Sequence, residues 1–476
     1  MKRSLYVLCL LVMLTPAVIA FCNRYLVRRQ IVILSTNDIH ANIGNFARLA
    51  SAVKECRDTA ACILVDAGDR WTGNAFVDIA PEPRKPIIDL MNELGYSVAT
   101  FGNHEFDGGR EFLSDMMDEC DFEIVCANIG SEDGMFPEVE PYTVVKVGGV
   151  KVGFAGVVTN YDHGHPDGNA DSFEGLFFPD PQEAAMRAAE ELKHKCDVPV
   201  LLSHMGYAMD IELAGKTTDY PLIISGHTHV LADTLVNATV IGQTRKNLIA
   251  VGATTIRLRG KRITDIDYRN VMLADYDPDP EFRIMVDEIM SDPYLHESVG
   301  YNAAELDKVG LADMLTTIIA RATDSEVGFY HFGGIRLDRM AADSVSRATL
   351  FDLDPFFSTV YTMKMTPEQM RRMIIEKFND TGNVKESHRI DLFSTAPYTI
   401  ITDAAGEAVD VRFPTLRNGH IYKVAMCNYI AEKYNGIEAD DITPHSDLKV
   451  LDAMIDYFDD ESPVKFSNKP KQFISR

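Results

Sequence analysis

Between Gln30 and about Asp267 the chain alternates short apolar runs with longer stretches whose apolar residues recur every three or four positions. The runs IVILST, ACILVDAG, YSVATFG, FEIVCAN, VKVGFAGV, VPVLLSH and YPLIISG are rich in β-branched residues and predict strands. Helical spacing runs from Phe46 to Arg57, Pro86 to Leu94, Glu111 to Cys120 and Pro181 to Lys195, and Gly95 stops the second of these. Strands alternating with helices predict a layered α/β domain. After Val230 the texture turns to strand-like runs without helices: TLVNATVIG, NLIAVGA, TTIRLRG and ITDIDYR. An acidic, proline-bearing break, DYDPD, and a helical stretch from Glu281 to Met290 lead into a second unit from about Tyr301. That unit mixes helices (Ala312 to Ala322, Pro367 to Phe378) with strands (VYTMKM, HIYKVAMC), and from Pro463 the chain reads as a polar tail.

The chemistry falls at the ends of the predicted strands. Asp38-Ile39-His40 follows IVILST, Asp69 follows ILVDAG, and Asn103-His104-Glu105-Phe106-Asp107 follows YSVATFG. His204 closes VPVLLS, and His227-Thr228-His229 follows IISG. Ligands of open α/β sheets gather beyond the carboxyl ends of strands, so these five loops can converge. Carboxylate and amide oxygens with imidazole nitrogens suit Zn, Mn, Fe and similar ions. The ligand side chains exceed one open coordination set, which points to two divalent ions sharing a carboxylate. Such a pair clamps the attacking and leaving oxygens of a phosphoryl transfer. Against Asp38 and Asp69 the two ions leave a local charge of about +2, which attracts phosphate.

D-x-H, G-D, G-N-H-E, H and G-H-T-H in this order resemble the calcineurin-like metallophosphoesterase superfamily. The longer GNHEFD and the second domain narrow the resemblance to its 5'-nucleotidase family. That family includes UDP-sugar hydrolases and 2',3'-cyclic-nucleotide phosphodiesterases. The resemblance implies a four-layer α/β sandwich domain, β-sheets flanked by helices, followed by a smaller α+β C-terminal domain that binds the nucleoside and swings it toward the metals. By its pattern Asp38, His40 and His229 hold one ion, Asn103, His204 and His227 hold the other, and Asp69 bridges them. His104 matches the catalytic histidine and Asp107 the partner that orients it. Glu105 reads as a structural acid. In the second domain, HFGGIR aligns Arg336 with a substrate arginine and leaves His331 where an asparagine is expected. Phe356 in DPF and Tyr429 in NYIA match the two aromatics that sandwich the base. Asn435 stands where an aspartate normally holds the ribose. An additional substrate arginine, expected before the helix near Ala312, is not recognisable.

Composition adds compartment and partners. Lys and Arg total 46 against 71 Asp and Glu, a net charge of −25, which argues against a nucleic-acid polymer or an anionic membrane as partner. The expected partner is a small-molecule nucleotide. Lys2 and Arg3 before the uncharged run from Ser4 to Ala20 resemble a secretory signal, so the chain reads as exported, periplasmic or at the cell surface, with no stable span after cleavage. Arg24, Arg28 and Arg29 after the run keep an uncleaved anchor open. The expected division of its 476 residues is a signal at 1–20, a catalytic domain at 30–270, a linker with a helix at 271–300 and a substrate-binding domain at 301–476. Cys56 with Cys62 and Cys120 with Cys126 either close small loops or stay free thiols. His163 and His165 read as a surface loop ahead of a second metal pair, and Asn237-Ala238-Thr239 as a strand connection ahead of a glycosylation site. The leading expectation is release of the 5'-phosphate from nucleoside monophosphates by a water activated between two metals. Cyclic-nucleotide or nucleotide-sugar hydrolysis on the same scaffold, a related thiosulfate-ester hydrolysis, and a non-catalytic nucleotide-binding protein are the alternatives.

Overall fold

The computed structural model describes residues 27–381, 387–433 and 440–476; the signal at 1–20 and Asn435 lie outside them. The chain divides into two compact units. One runs to Arg70 and takes up Ile87–Asn160 and Gly175–Glu288, whereas Trp71–Pro86 and Tyr161–Glu174 group with Ile289–Arg476.

The first unit is built on two six-stranded sheets. In one, the order is Arg262–Met272, Ala250–Arg259, Arg28–Thr36, Cys62–Asp66, Val98–Ala99, Glu123–Ile124. The last four are parallel, and the two C-terminal strands add antiparallel. In the other, the order is Leu231–Val236, Thr239–Thr244, Leu222–Ser225, Val198–His204, Val150–Val158, Tyr142–Val147, with parallel pairing through the middle. One core joins them. Ile31, Ile33, Ile63 and Val65 of the first sheet pack with Val152, Phe154, Val200, Leu202 and Ile224 of the second. The helix Phe46–Thr59 packs on the first sheet, and Pro181–Leu192 and Tyr207–Lys216 pack on the second. Four layers result, helix, sheet, sheet, helix. Strands buried on both faces explain why their sequences read as continuous apolar runs.

Several sequence expectations change at strand ends. YSVATFG keeps only Val98–Ala99 as strand, because the Thr100 carbonyl leaves the ladder to accept the Arg70 Nη1 at 2.7 Å. FEIVCAN keeps only Glu123–Ile124, since Cys126 and Ala127 donate instead to Glu140 and Gly156. TLVNATVIG is a hairpin that turns at Asn237, whose φ of 52° and amide bond to the Ala214 carbonyl (2.8 Å) make the expected strand connection. The helix Tyr207–Lys216 and the strand Tyr142–Val147 were not anticipated.

The second unit holds a mixed five-stranded sheet in the order Leu392–Ser394, Val327–His331, Tyr422–Cys427, Thr359–Met365, Asp440–Lys449. The helices Lys308–Ala322, Pro367–Asn379 and Val450–Glu461 bury their apolar faces in its core, through Leu311, Leu315, Met370, Met373 and Met454 among others. Thr366 and Gln369 form a reciprocal cap at the start of the second of these helices. The expected polar tail is structured. Gln472–Ser475 pairs in parallel with Tyr398–Thr402, and Gln472 Nε2 donates to the Ser394 carbonyl at 2.9 Å. Backbone pairing, not side-chain polarity, decides that segment.

Candidate metal centre

The parallel register puts the strand ends level. Thr36 pairs with Asp66, Asp66 with Ala99, and Ser203 with Ser225, so the loops that follow begin at one edge. Two glycines let those loops touch. A Cβ on Gly68 would lie 2.4 Å from the Gly102 nitrogen, and one on Gly102 would lie 2.2 Å from Asp69 Oδ1. The G-D and G-N-H-E loops therefore meet backbone to backbone, an approach no larger residue permits.

Glu105 ties these loops together. Its fully buried carboxylate accepts the backbone N–H of Asp69 at 2.9 Å, of Arg70 at 2.8 Å and of Gly102. Arg70, itself 1% exposed, lies 3.7 Å from Glu105 and 3.3 Å from Asp66. Asn37 does the same work for Asp38. Its amide donates to Asp38 Oδ2 (2.6 Å) and to the Arg245 carbonyl (2.7 Å), while its oxygen accepts from Thr244. Asn37 and Asp66 escaped the sequence reading. Asp66 had a signal there, a carboxylate inside an otherwise apolar strand.

All seven expected ligands lie in the first unit, and six of them come together in two groups. The ligand atoms of Asp38, His40, Asp69 and His229 lie within 4.8 Å of one another, as do those of Asp69, His204 and His227. Asp69 is common to both. His40 Nε2 and His229 Nε2 stand 3.0 Å apart, and His229 Nε2 is 3.4 Å from Asp38 Oδ1. His204 Nε2 is 3.1 Å from Asp69 Oδ2, and its Nδ1 donates to the Ala67 carbonyl at 2.7 Å, which fixes the tautomer that leaves Nε2 for coordination. Asn103 Oδ1 lies 3.0 Å from His227 Nδ1. Asp38, His40, Asp69, His227 and His229 have φ of 49°, 48°, 58°, 75° and 56°. Left-handed backbone is costly for such residues and is concentrated where function over-determines it.

The electrostatics fit cations. Burial would raise Asp38 and Asp69, yet the surrounding histidines hold both below the usual carboxylate range, Asp69 well below. Burial would lower His204, but Asp69 and Asp38 push it up to about 10. Two buried carboxylates thus draw positive charge from their imidazoles. Divalent ions supply that charge directly and leave the imidazoles neutral to coordinate. The donor set of carboxylate, amide and imidazole suits two ions of the Zn or Mn type.

His104 stands beside the ligands. Its ring centroid is 5.1 Å from that of His40, its backbone N–H donates to Asp69 Oδ1 at 2.9 Å, and its Nδ1 lies 2.9 Å from Asp107 Oδ2.

The expected substrate residues lie in the second unit. Tyr429 is half-buried and lies face to face with His331, ring centroids 4.2 Å apart and planes 21° apart. Lys433 Nζ donates to the Tyr429 hydroxyl at 2.9 Å and pairs with Asp162. Arg336 sits over the Phe356 ring at 5.6 Å. His163 and His165 do not converge. His163 bonds Asp162 at 2.9 Å and lies 3.3 Å from Asp380, whereas His165 donates to the Pro166 carbonyl and stacks on Phe173. The described cysteines are free thiols.

Two stacked sheets with a buried carboxylate–histidine cluster at their strand ends define a calcineurin-like phosphoesterase domain, and residues 31–231 match that family. Residues 293–440 match the 5'-nucleotidase C-terminal domain, so the chain combines a calcineurin-like phosphoesterase domain with a 5'-nucleotidase C-terminal domain. It is 26% identical to the trifunctional nucleotide phosphoesterase YfkN of Bacillus subtilis (strain 168) over 74% of its own length and 28% of that protein. It is 29% identical to the 5'-nucleotidase of Rattus norvegicus over 42% of its length and 38% of the relative's. The chain thus spans well under half of either relative. The crystal structure of a 5'-nucleotidase precursor from Thermus thermophilus superposes with a TM-score of 0.83 at 19% identity, covering 94% of this chain and 99% of that one.

Proposed function

We propose that the protein hydrolyses nucleotide phosphoesters, foremost the 5'-phosphate of nucleoside monophosphates. The observation that carries this reading is the pairing of two metal-ligand groups through Asp69 with the His104–Asp107 pair beside them. Asp38, His40 and His229 would hold one ion, Asn103, His204 and His227 the other, and Asp69 both. Ions held there would supply Lewis acidity toward phosphoryl oxygens and toward a water. Asp107 accepts from His104 Nδ1 and fixes the ring, so that Nε2 serves the leaving oxygen. Arg336 takes the anionic end of the substrate, and Phe356 and Tyr429 offer faces to the base. A ring face accepts any base, which favours purine and pyrimidine nucleotides alike.

A second reading, hydrolysis of other nucleotide phosphoesters at the same centre, rests on the trifunctional nucleotide phosphoesterase among the relatives. The apolar run after Lys2 and Arg3 supports export to the cell surface or periplasm, which N-terminal sequencing of the mature protein tests. Among the described residues no helix is long and apolar enough to cross a membrane.

The test is phosphate release from nucleoside monophosphates, cyclic nucleotides, nucleotide sugars and an aryl phosphate, with defined metals. In the double variant Phe356→Ala, Tyr429→Ala the KM for nucleotides should rise while aryl phosphate hydrolysis persists. Equal losses on both would remove the aromatics from the substrate site. No hydrolysis of any nucleotide by the metal-loaded protein would sink the reading.

A further inference from the structure

We propose that Gln243 is the positioning residue of the His227-Thr228-His229 loop, one side chain that holds ready a ligand for each of two ions. This role rests on the two-ion centre proposed above and deepens it. Gln243 lies on the strand Thr239–Thr244, which pairs in parallel with Leu222–Ser225, the strand that ends in this loop. Gly242 is level with Ile224, so Gln243 stands level with Ser225, where the loop leaves the sheet. Gln243 is fully buried.

The amide is used completely. Nε2 donates to Ser225 Oγ at 2.9 Å and to the Gly226 carbonyl at 2.6 Å. Oε1 accepts from the Thr228 hydroxyl at 3.1 Å and from the Val230 N–H at 2.7 Å. Two N–H groups and two lone pairs are all that a glutamine amide offers. Turned over, it would set its NH₂ against the Val230 N–H and its oxygen against the Gly226 carbonyl, so the four partners fix one orientation. They also bracket the ligands: Gly226 precedes His227, Thr228 lies between the histidines, and Val230 follows His229. The Thr228 hydroxyl in turn accepts from the Tyr207 N–H at 3.2 Å, which ties the loop to the start of the helix Tyr207–Lys216.

The loop needs such a clasp. His227 and His229 have φ of 75° and 56°, a backbone conformation costly for side chains of this kind. Gripping both ends of the loop through one amide offsets that cost before any ion arrives. The next residue along the strand, Thr244, donates to Asn37, which holds Asp38. The end of one strand thus steadies three ligand residues through two neighbouring positions. None of the four Gln243 hydrogen bonds goes to a ligand side chain, so Gln243 acts on the ions through the loop backbone and Thr228.

Full-length protein stripped with a chelator is titrated with Mn²⁺ by calorimetry, and hydrogen exchange of the peptide from Gly226 to Val230 is followed by mass spectrometry. Wild type should bind two ions, and the peptide should be protected before metal is added. Gln243→Leu nearly keeps the volume and removes the four bonds. Both ions should then bind roughly 10–100-fold more weakly, the usual effect of losing a group that orients ligands. Thr239→Val is the control. It deletes a buried bond to the Tyr220 carbonyl (2.7 Å) at the other end of the strand, so it should lower stability and leave both affinities unchanged. Wild-type affinities in Gln243→Leu, weakening at one position alone, or equal weakening by Thr239→Val would overturn the clasp. A wild type that takes up fewer than two ions would sink the two-ion reading and this proposal with it. Should Gln243→Leu fail to fold, the metal-free wild type still decides: a peptide that exchanges as fast as an unstructured chain would overturn the proposal.

Discussion

Glu105 offers the sharpest test of how the metal loops are held. Its side chain touches no expected ligand atom, yet three backbone N–H groups and the buried Arg70 depend on it. Glu105→Ala leaves those donors without their acceptor inside the unit and strips one carboxylate from Arg70, which retains Asp66 at 3.3 Å and the Thr100 carbonyl at 2.7 Å. Breaking a buried pair in this way costs about 3–5 kcal/mol. For a domain of this size that lowers the unfolding midpoint by roughly 6–20 °C. Glu105→Gln keeps the volume and one acceptor oxygen but turns an amide NH₂ toward an N–H, so its loss should fall near half of that. Because the Asp69 backbone is one of the three donors, metal affinity should drop in both variants. All seven ligands remain, so saturating metal should restore turnover. The assay is calorimetric unfolding with metal content by mass spectrometry, followed by activity against added metal. A Glu105→Ala protein within about 2 °C of wild type, with normal metal content, would refute the argument.

Asp69→Asn should deplete both metal positions and His229→Ala chiefly one, read as metal per chain; full turnover in chelator-treated protein would contradict the two-ion site. His104→Asn should lower turnover by roughly 10²–10⁴-fold with metal content unchanged, and Asp107→Asn by less, since the imidazole stays. An emptied metal position in His104→Asn would count against its role. Burial raises Asp66 to about 7, against the pull of Arg70 and the Thr36 hydroxyl. The folded state then holds a proton that the unfolded chain has released, so Asp66 costs stability as pH rises from about 4 to 7. Comparing unfolding across that window, Asp66→Asn should flatten this part of the slope; an unchanged slope would mean Asp66 is ionised throughout.

The sequence alone determined the alternation of strands and helices, the five ligand-bearing loops and the family they resemble. Those features are local: a continuous apolar run marks a strand buried on both faces, and polar residues cluster where it ends. Even Glu105 was legible as a structural acid, because the ligand and catalytic roles around it were taken. What the sequence left out depends on partners far along the chain. Asn37 holds Asp38 only because Thr244 and Arg245 return beside it. The run at Tyr96 to Gly102 shortens because Arg70 captures the Thr100 carbonyl, and Gln472–Ser475 becomes a strand because Tyr398–Thr402 presents an edge. Tyr429 stacks on His331, a residue noticed only as a departure from the family pattern. Cys120 and Cys126 part for the same reason, turning to the Met116 carbonyl and to Asn128. Hydrogen-bond partners and side-chain neighbours are set by which backbones pack together, and only the tertiary structure decides that.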